Sequence, residues 1–401
     1  MPSCETVPSL PRPVPRACPV CAGAAAEFIH DHALAPVKGV SPHAGYRVVA
    51  CRACGMVYAD AIPGQAAFDR YYRECSRYED GTRLGLPGPV NRERFRAIAG
   101  ELAGQLRRRD LSVAEMGAST GGLLAELKAL GFGKLLAVDP ADACVRAARE
   151  LHGLEAAAGT AFDPLPGSPH DLVIAVGVLE HLRDLDRALD NLAAGLAPDG
   201  LLYLEVPDLE GFHLTNEAPY QEFSTEHINF FTRRSLDNLM GCKGFRPAFG
   251  HVADRAHGGG STMRVLAWAY RRDGAAAAPV PDPAGAAAAR RYLSLCAEQA
   301  RPEQALMERL ARNPEPFAVW GAGTVACRLM ATSALGRAPV AAFVDSNPHL
   351  QSRTLGGVPV QPPQWLRGFR GPILVASRGY AEEIRRTIRE ELGLANPLVT
   401  L

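Results

Sequence analysis

Between residues 111 and 206, short apolar runs alternate with stretches whose apolar positions recur at helical spacing: LSVAEMG, LLAELKALGF, LLAVDP, ACVRAARELHG, DLVIAVGVLEHL, LDRALDNLAAGLAPDG and LLYLEVP. This alternation predicts a parallel sheet covered by helices. A shorter run of the same texture, FAVWGAGTVACRLM, VAAFVDSNP and PILVASRGYAEEIRRTIREEL, begins at Phe317 and predicts a second α/β unit. Between them, RRDGAAAAPVPDPAGAAAARR loses all apolar periodicity and reads as a linker. A helix is expected after it, because Tyr292, Leu293, Leu295, Leu306, Met307 and Leu310 recur at roughly helical spacing before the Asn313-Pro314 break. The expected fold class is α/β, with two Rossmann-like doubly wound units and a small N-terminal zinc-ribbon module. The expected segments are residues 1–90, 91–270, 271–290 (linker) and 291–401.

Composition bounds the picture. A chain of 401 residues exceeds a single core, so two or three domains are expected. Hydrophobic residues make up 47% and charged residues 21%, with a formal net charge of zero, which leaves no electrostatic footprint for nucleic acid or an anionic membrane. The segment MPSCETVPSLPRPVPRACPVC lacks the apolar run of a signal peptide, and no later stretch has the ~18 apolar residues of a membrane span. A cytoplasmic protein is expected, monomeric or homodimeric, with a small-molecule substrate.

Ten cysteines are present, four of them in two CxxC pairs, while Cys4, Cys75, Cys144, Cys242, Cys296 and Cys327 follow no spacing rule. That favours one metal site and reduced thiols. Cys18, Cys21, Cys51 and Cys54 can present four thiolates to one tetrahedral Zn²⁺, and a hairpin containing Tyr46, Val48 and Val49 would bring the pairs together. Four cysteine ligands leave no open coordination position, so the zinc is expected to be structural.

VAEMGASTGG places Glu115, Gly117, Ser119 and Gly121 at the turn from the first strand of the parallel sheet into its first helix, where ligands of such sheets bind. Asp139 ends the next strand, where a carboxylate can accept both ribose hydroxyls of an adenosine. NAD is an alternative ligand for such a turn, but the loop lacks GxGxxG. In the second unit, Gly321-Ala-Gly323-Thr-Val-Ala326 follows a strand and opens a helix, and Asp345 ends the next strand, so a nucleotide phosphate and ribose could be cradled there.

Taken together, VAEMGASTGG, AVDP and DLVIAVGVLEHLRDLDRAL resemble class I S-adenosylmethionine-dependent methyltransferases, with Ser119 in place of the usual middle glycine. The resemblance implies that Glu115, Gly117 and Gly121 shape a methionine pocket, that Asp139 holds the ribose, that Ala161 and Phe162 border the adenine and that Val176 and Gly177 close the pocket. In chain order, the paired CxxC motifs, VLEHL, STEHINFF (224–231), HGGGSTMRV (257–265), WGAGTVA and FVDSNP resemble the bacterial three-domain sugar C-methyltransferases that act on nucleotide-linked keto-deoxysugars.

That resemblance implies His227 as a base forming an enolate, His181 as orienter of the sugar or stabiliser of the enolate oxygen, and Glu226 as a positioning group. Ser224, Asn229 and Arg264 are then substrate-facing candidates, as are Gly321, Gly323, Arg378 and Tyr380 toward a nucleotide-sugar, with Ser377 beside them. Asn229 and the aromatics Phe223, Phe230 and Phe231 are expected to pack a lid rather than touch the reaction, while Tyr71, Tyr72 and Tyr78 could reach the site or fill a core. Two positions depart from the family: Ser224 replaces a tyrosine before the Glu-His pair, and Ser377-Arg378 replaces part of a Trp-Asn-Tyr triplet. O- or N-methylation of another metabolite, and a nucleotide- or NAD-binding protein with a degenerate methyltransferase domain, are the alternatives.

Overall fold

Valine, alanine and tyrosine alternate between the faces of the first strands, and a computed structural model shows where they pack. It describes residues 10, 12–74, 89–215, 218–256, 261–272 and 274–401. Cys4, Cys75, Tyr78 and the 257–260 part of the HGGG stretch lie outside the described residues. Strands β1 (Ala26–Ala33), β2 (Gly45–Cys51) and β3 (Val57–Asp60) form an antiparallel meander followed by helices α1 (Gln65–Glu74) and α2 (Pro89–Gln105). The hairpin that brings the two cysteine pairs together is β1–β2, with Ala26 opposite Cys51, and Cys51–Cys54 then makes the turn into β3.

The central unit runs β4 (Ser112–Met116), α3 (Gly122–Ala129), β5 (Lys134–Asp139), α4 (Asp142–His152), β6 (Glu155–Ala158), β7 (His170–Val176), α5 (Leu185–Ala194) and β8 (Leu196–Pro207). Helix α4 buries Cys144, Val145 and Ala148 on one face and stops at Gly153, whose φ of 57° suits glycine. Next come the short strand β9 (Asn229–Phe230), α6 (Arg233–Cys242), whose Thr232 and Ser235 form a capping box, and the hairpin of β10 (Phe245–Ala256) with β11 (Thr262–Arg272). The sheet order is β6-β5-β4-β7-β8-β11-β10, parallel except for β11. The order reverses between β4 and β7, and that switch point opens a crevice at the carboxyl edge of the sheet.

Helix α7 (Ala284–Arg312) starts within the alanine-rich stretch, because Ala286 to Ala289 are strong helix formers once Pro283 has been passed. The second unit follows with β12 (Phe317–Trp320), α8 (Thr324–Thr332), β13 (Val340–Val344), β14 (Thr354–Leu355), β15 (Val358–Gln361), β16 (Ile373–Val375), α9 (Ala381–Arg386) and β17 (Leu398–Thr400). Its order is β14-β15-β13-β12-β16-β17, with the switch point between β12 and β16. Both α/β units expected from the apolar pattern are present.

Residues distant in sequence knit these parts together. β9 pairs with β3, setting Tyr58 opposite Asn229 and Val57 opposite Phe230. Tyr46, Val48, Phe68, Phe223, Phe230 and Tyr292 share one core. Burying a phenyl ring such as Phe223 or Phe230 contributes about 2 to 3 kcal/mol, so this interlock is strong. Leu34 and Val37 pack into the core of the second unit, and the cysteine turns pack into that of the first. No described helix is long and apolar enough to cross a membrane.

Candidate functional site

The four cysteines sit on two turns of the same shape. Ala22 N donates to Cys18 O and Gly55 N donates to Cys51 O, both at 2.9 Å, and the donors have φ of 55° and 80°. A side chain on Gly55 would strike the Asp282 carbonyl, so the second turn requires glycine. Cys18 and Cys54 Sγ are 3.5 Å apart, Cys21 and Cys51 Sγ are 3.4 Å apart, and all four lie within 4.8 Å of one another. A tetrahedral ion with metal–sulfur bonds near ~2.3 Å fits such a cluster.

At the switch point of the first unit, β4 delivers Glu115 and then turns sharply. Gly117 has φ of 72°, and a Cβ there would lie 2.7 Å from Val178 Cγ2; Gly121 has φ of 82°, and a Cβ there would lie 2.7 Å from Leu154 Cδ1. Ser119 is also left-handed, at 49°, which explains why glycine is the usual residue at this place. Asp139 at the end of β5 accepts from Ser119 N (2.8 Å) and Ala141 N (2.9 Å), so it shapes the loop.

Glu115 is 4% exposed, and its Oε2 has no hydrogen-bond partner. Burial, reinforced by the Asp139 charge, holds its carboxyl well above the usual range. A buried acceptor without a donor suits an ammonium group, and two carboxyls beside the turn disfavour a pyrophosphate. Ala161 is buried, and Phe162 is half-buried beneath the Arg187 guanidinium. Val176 ends β7, and Gly177 with φ of 67° donates to Glu205 O at 2.9 Å.

Beyond Gly177 a single turn, Leu179–His181, faces the loop before β9. The His181 and His227 rings meet edge to face with centroids 4.9 Å apart. His181 Nδ1 lies 2.9 Å from Tyr72 Oη and 3.2 Å from Glu226 O. A carbonyl only accepts, but the shorter contact can be the Tyr72 hydroxyl donating to Nδ1, which leaves the proton on Nε2. That atom faces Glu180 Oε1 at 3.8 Å. Glu180 is 3% exposed, and burial raises its carboxyl pKa. It is a member of the cluster that spacing did not single out, since its neighbour in VLEHL drew the attention. Glu180, His181 and His227 offer ligand atoms within 4.8 Å of one another.

Tyr71 donates to Glu226 Oε1 at 2.7 Å, so the tyrosines of α1 do reach this cluster. Ser224 Oγ accepts from Glu226 N (3.2 Å) and His227 N (3.1 Å), making the turn that presents His227. Asn229 is 2% exposed, and its Nδ2 donates to Leu179 O and Leu182 O, both at 2.7 Å, while its Oδ1 is buried without a hydrogen-bond partner. Phe223, Phe230 and Phe231 are fully buried.

In the second unit, Gly321 has φ of 108°, Gly323 caps α8, and Asp345 accepts from Ala322 N (2.8 Å) and Asn347 N (2.9 Å). Arg378 turns onto Glu303, Nη2 to Oε1 at 2.9 Å, where Arg328 takes the other oxygen at 2.6 Å. The buried acid on α7 thus claims a guanidinium expected to face phosphate. Tyr380 is 59% exposed at the start of α9, and Arg264 pairs with Asp254 at 3.0 Å.

Residues 90–248 match the family model for a methyltransferase domain. The C-methyltransferase NovU of Streptomyces niveus is 31% identical over 153 residues, covering 37% of this chain and 35% of that protein, so the match spans about a third of the curated relative. Similar solved structures include the 1,6-didemethyltoxoflavin-N1-methyltransferase of Burkholderia thailandensis, at 21% identity, 54% of this chain, 95% of that chain and a TM-score of 0.39. The magnesium protoporphyrin IX methyltransferase of Synechocystis PCC 6803 is 17% identical over 53% of this chain and 99% of that chain, also with a TM-score of 0.39. The chain carries a methyltransferase domain.

Proposed function

We propose that the protein is an S-adenosylmethionine-dependent C-methyltransferase, acting on a carbon beside a ketone in a nucleotide-linked keto-deoxysugar, with Zn²⁺ held structurally by Cys18, Cys21, Cys51 and Cys54. The observation that carries this reading is the edge-to-face pair of the buried His181 and the half-buried His227, beside the buried Glu180 and the half-buried Tyr72 past the end of β7. The similarity to a named C-methyltransferase supports it.

The cofactor supplies an electrophilic methyl group on a sulfonium. Glu115, lacking a partner, would take its ammonium, Asp139 its ribose, and Gly117 and Gly121 leave room for its backbone approach. His227 then removes the proton from the carbon beside the ketone, and the electron pair shifts onto the ketone oxygen as an enolate. His181, its Nδ1 accepting from the Tyr72 hydroxyl, would donate from Nε2–H to that oxygen. That carbon would take the methyl group supplied by the bound cofactor, the electrons of the carbon–sulfur bond being left on sulfur. The second α/β unit, through Gly321, Gly323 and the acid Asp345, would receive the nucleotide.

The test combines isotope-labelled S-adenosylmethionine, a panel of nucleotide-linked keto sugars and mass spectrometry. Label on carbon, with solvent deuterium washed into that carbon when S-adenosylhomocysteine replaces the methyl donor, is the expected result. Label on oxygen or nitrogen without wash-in would replace this reading with O- or N-methylation.

A further inference from the structure

Arg16 stands two positions before Cys18, yet its side chain leaves the cysteine module and runs inward. It is 7% exposed. Its Nη1 donates to Ile228 O at 3.2 Å, and its Nη2 to Arg183 O at 2.6 Å and Leu182 O at 3.4 Å. The main chain is anchored as well, Arg16 N donating to Asp60 Oδ1 at 2.8 Å and Tyr58 Oη donating to Arg16 O at 3.3 Å. Among the described residues no carboxylate forms an ion pair with this guanidinium. A buried cation held by carbonyls and the face of the Tyr58 ring, 5.7 Å away, is a costly way to stabilise a fold, and an apolar chain of similar length would avoid that cost.

The guanidinium joins two loops at once. Leu182 and Arg183 directly follow His181, and Ile228 directly follows His227. The same two loops are stitched by Ile228 N donating to Glu180 O at 2.8 Å and by the Asn229 amide. The planar fork fixes the carbonyls in distance and direction, which a lysine cannot do. We propose that Arg16 is a positioning residue that sets the separation of His181 and His227, making the cysteine module part of the catalytic apparatus. The proposal rests on the reading of those histidines as the reacting pair.

Arg16→Lys and Arg16→Met, in the full chain with its metal bound, are compared with wild type by amide hydrogen exchange without substrate, by calorimetry with S-adenosylhomocysteine and by turnover. In Arg16→Met, residues 179–184 and 226–230 should exchange about tenfold faster while residues 113–121 and the cysteine turns keep their rates. Turnover should fall about a hundredfold with KM for the cofactor unchanged, and Arg16→Lys should fall between, which also covers a Met variant that does not fold. Unchanged exchange in both loops overturns the proposal, as does acceleration spread over the whole module with loss of metal. Loosened loops with full turnover would instead overturn the histidine reading, leaving the brace intact.

Discussion

The two α/β units share a turn geometry and differ in chemistry. In each, a first strand ends in a left-handed glycine, Gly117 or Gly321, and an acid closing the second strand accepts two backbone N–H bonds at 2.8 and 2.9 Å, Asp139 in one and Asp345 in the other. Two residues before the glycine, however, the first unit buries Glu115, whereas the second has the apolar Val319. Past the switch strand the first unit presents Glu180 and His181, and the second presents Arg378, already held by Glu303. The loop shape follows from the fold, while the capacity for chemistry follows from what fills it.

Removing the metal should have the largest effect, because the cysteine turns pack into the core of the first unit and the same module packs into the second. Chelation or Cys51→Ser should lower the thermal transition by many degrees and abolish turnover, since structural zinc supplies on the order of 10 kcal/mol in small metal modules. An apo form melting at the wild-type temperature would refute that. Next, His227→Ala should reduce deuterium wash-in and methyl transfer by about a thousandfold without altering S-adenosylhomocysteine affinity. Wash-in at the wild-type rate would remove His227 as the base.

Glu115→Gln should weaken S-adenosylhomocysteine by about tenfold, the loss of one charge-assisted bond, while Val319→Ala leaves it unchanged; equal affinities for Glu115→Gln and wild type would contradict the ammonium assignment. Ser119→Gly, which relieves a left-handed serine at φ 49°, should raise stability by about 1 kcal/mol in denaturant unfolding.

The smallest effect concerns Asp345, whose carboxyl is pushed above its ordinary value by burial. Its ionisation is easier in the unfolded chain, so wild-type stability should decline as pH rises above the usual aspartate pKa toward the raised one. Asp345→Asn should remove that slope, and an identical slope in the variant would show that the acid is not strained by burial.

Legibility from sequence tracked the range of the interactions. The cysteine turns, the glycine loops and the acids closing β5 and β13 depend on residues a few positions apart, and all stand where spacing puts them. The setting of Asn229 is not local, because its amide is held by the Leu179 and Leu182 carbonyls and its strand by a β3–β9 pair far apart in sequence. Arg378 was visible as a phosphate ligand only while Glu303 on α7 was out of view. Arg16, in a proline-rich stretch, carries no periodic signal at all; only the folded loops show what it touches. Ser224 reads as a lost tyrosine in sequence and as the acceptor that shapes the His227 turn in space.

Calorimetric titration of S-adenosylhomocysteine into the wild type, Asp139→Ala and Asp345→Ala probes the contrast between the twin loops most directly. One binding site, weakened at least about tenfold by Asp139→Ala and untouched by Asp345→Ala, is the expected result. Undiminished affinity in Asp139→Ala, or its loss in Asp345→Ala, would place the cofactor outside the first unit and contradict the assignment of the chemistry to its edge.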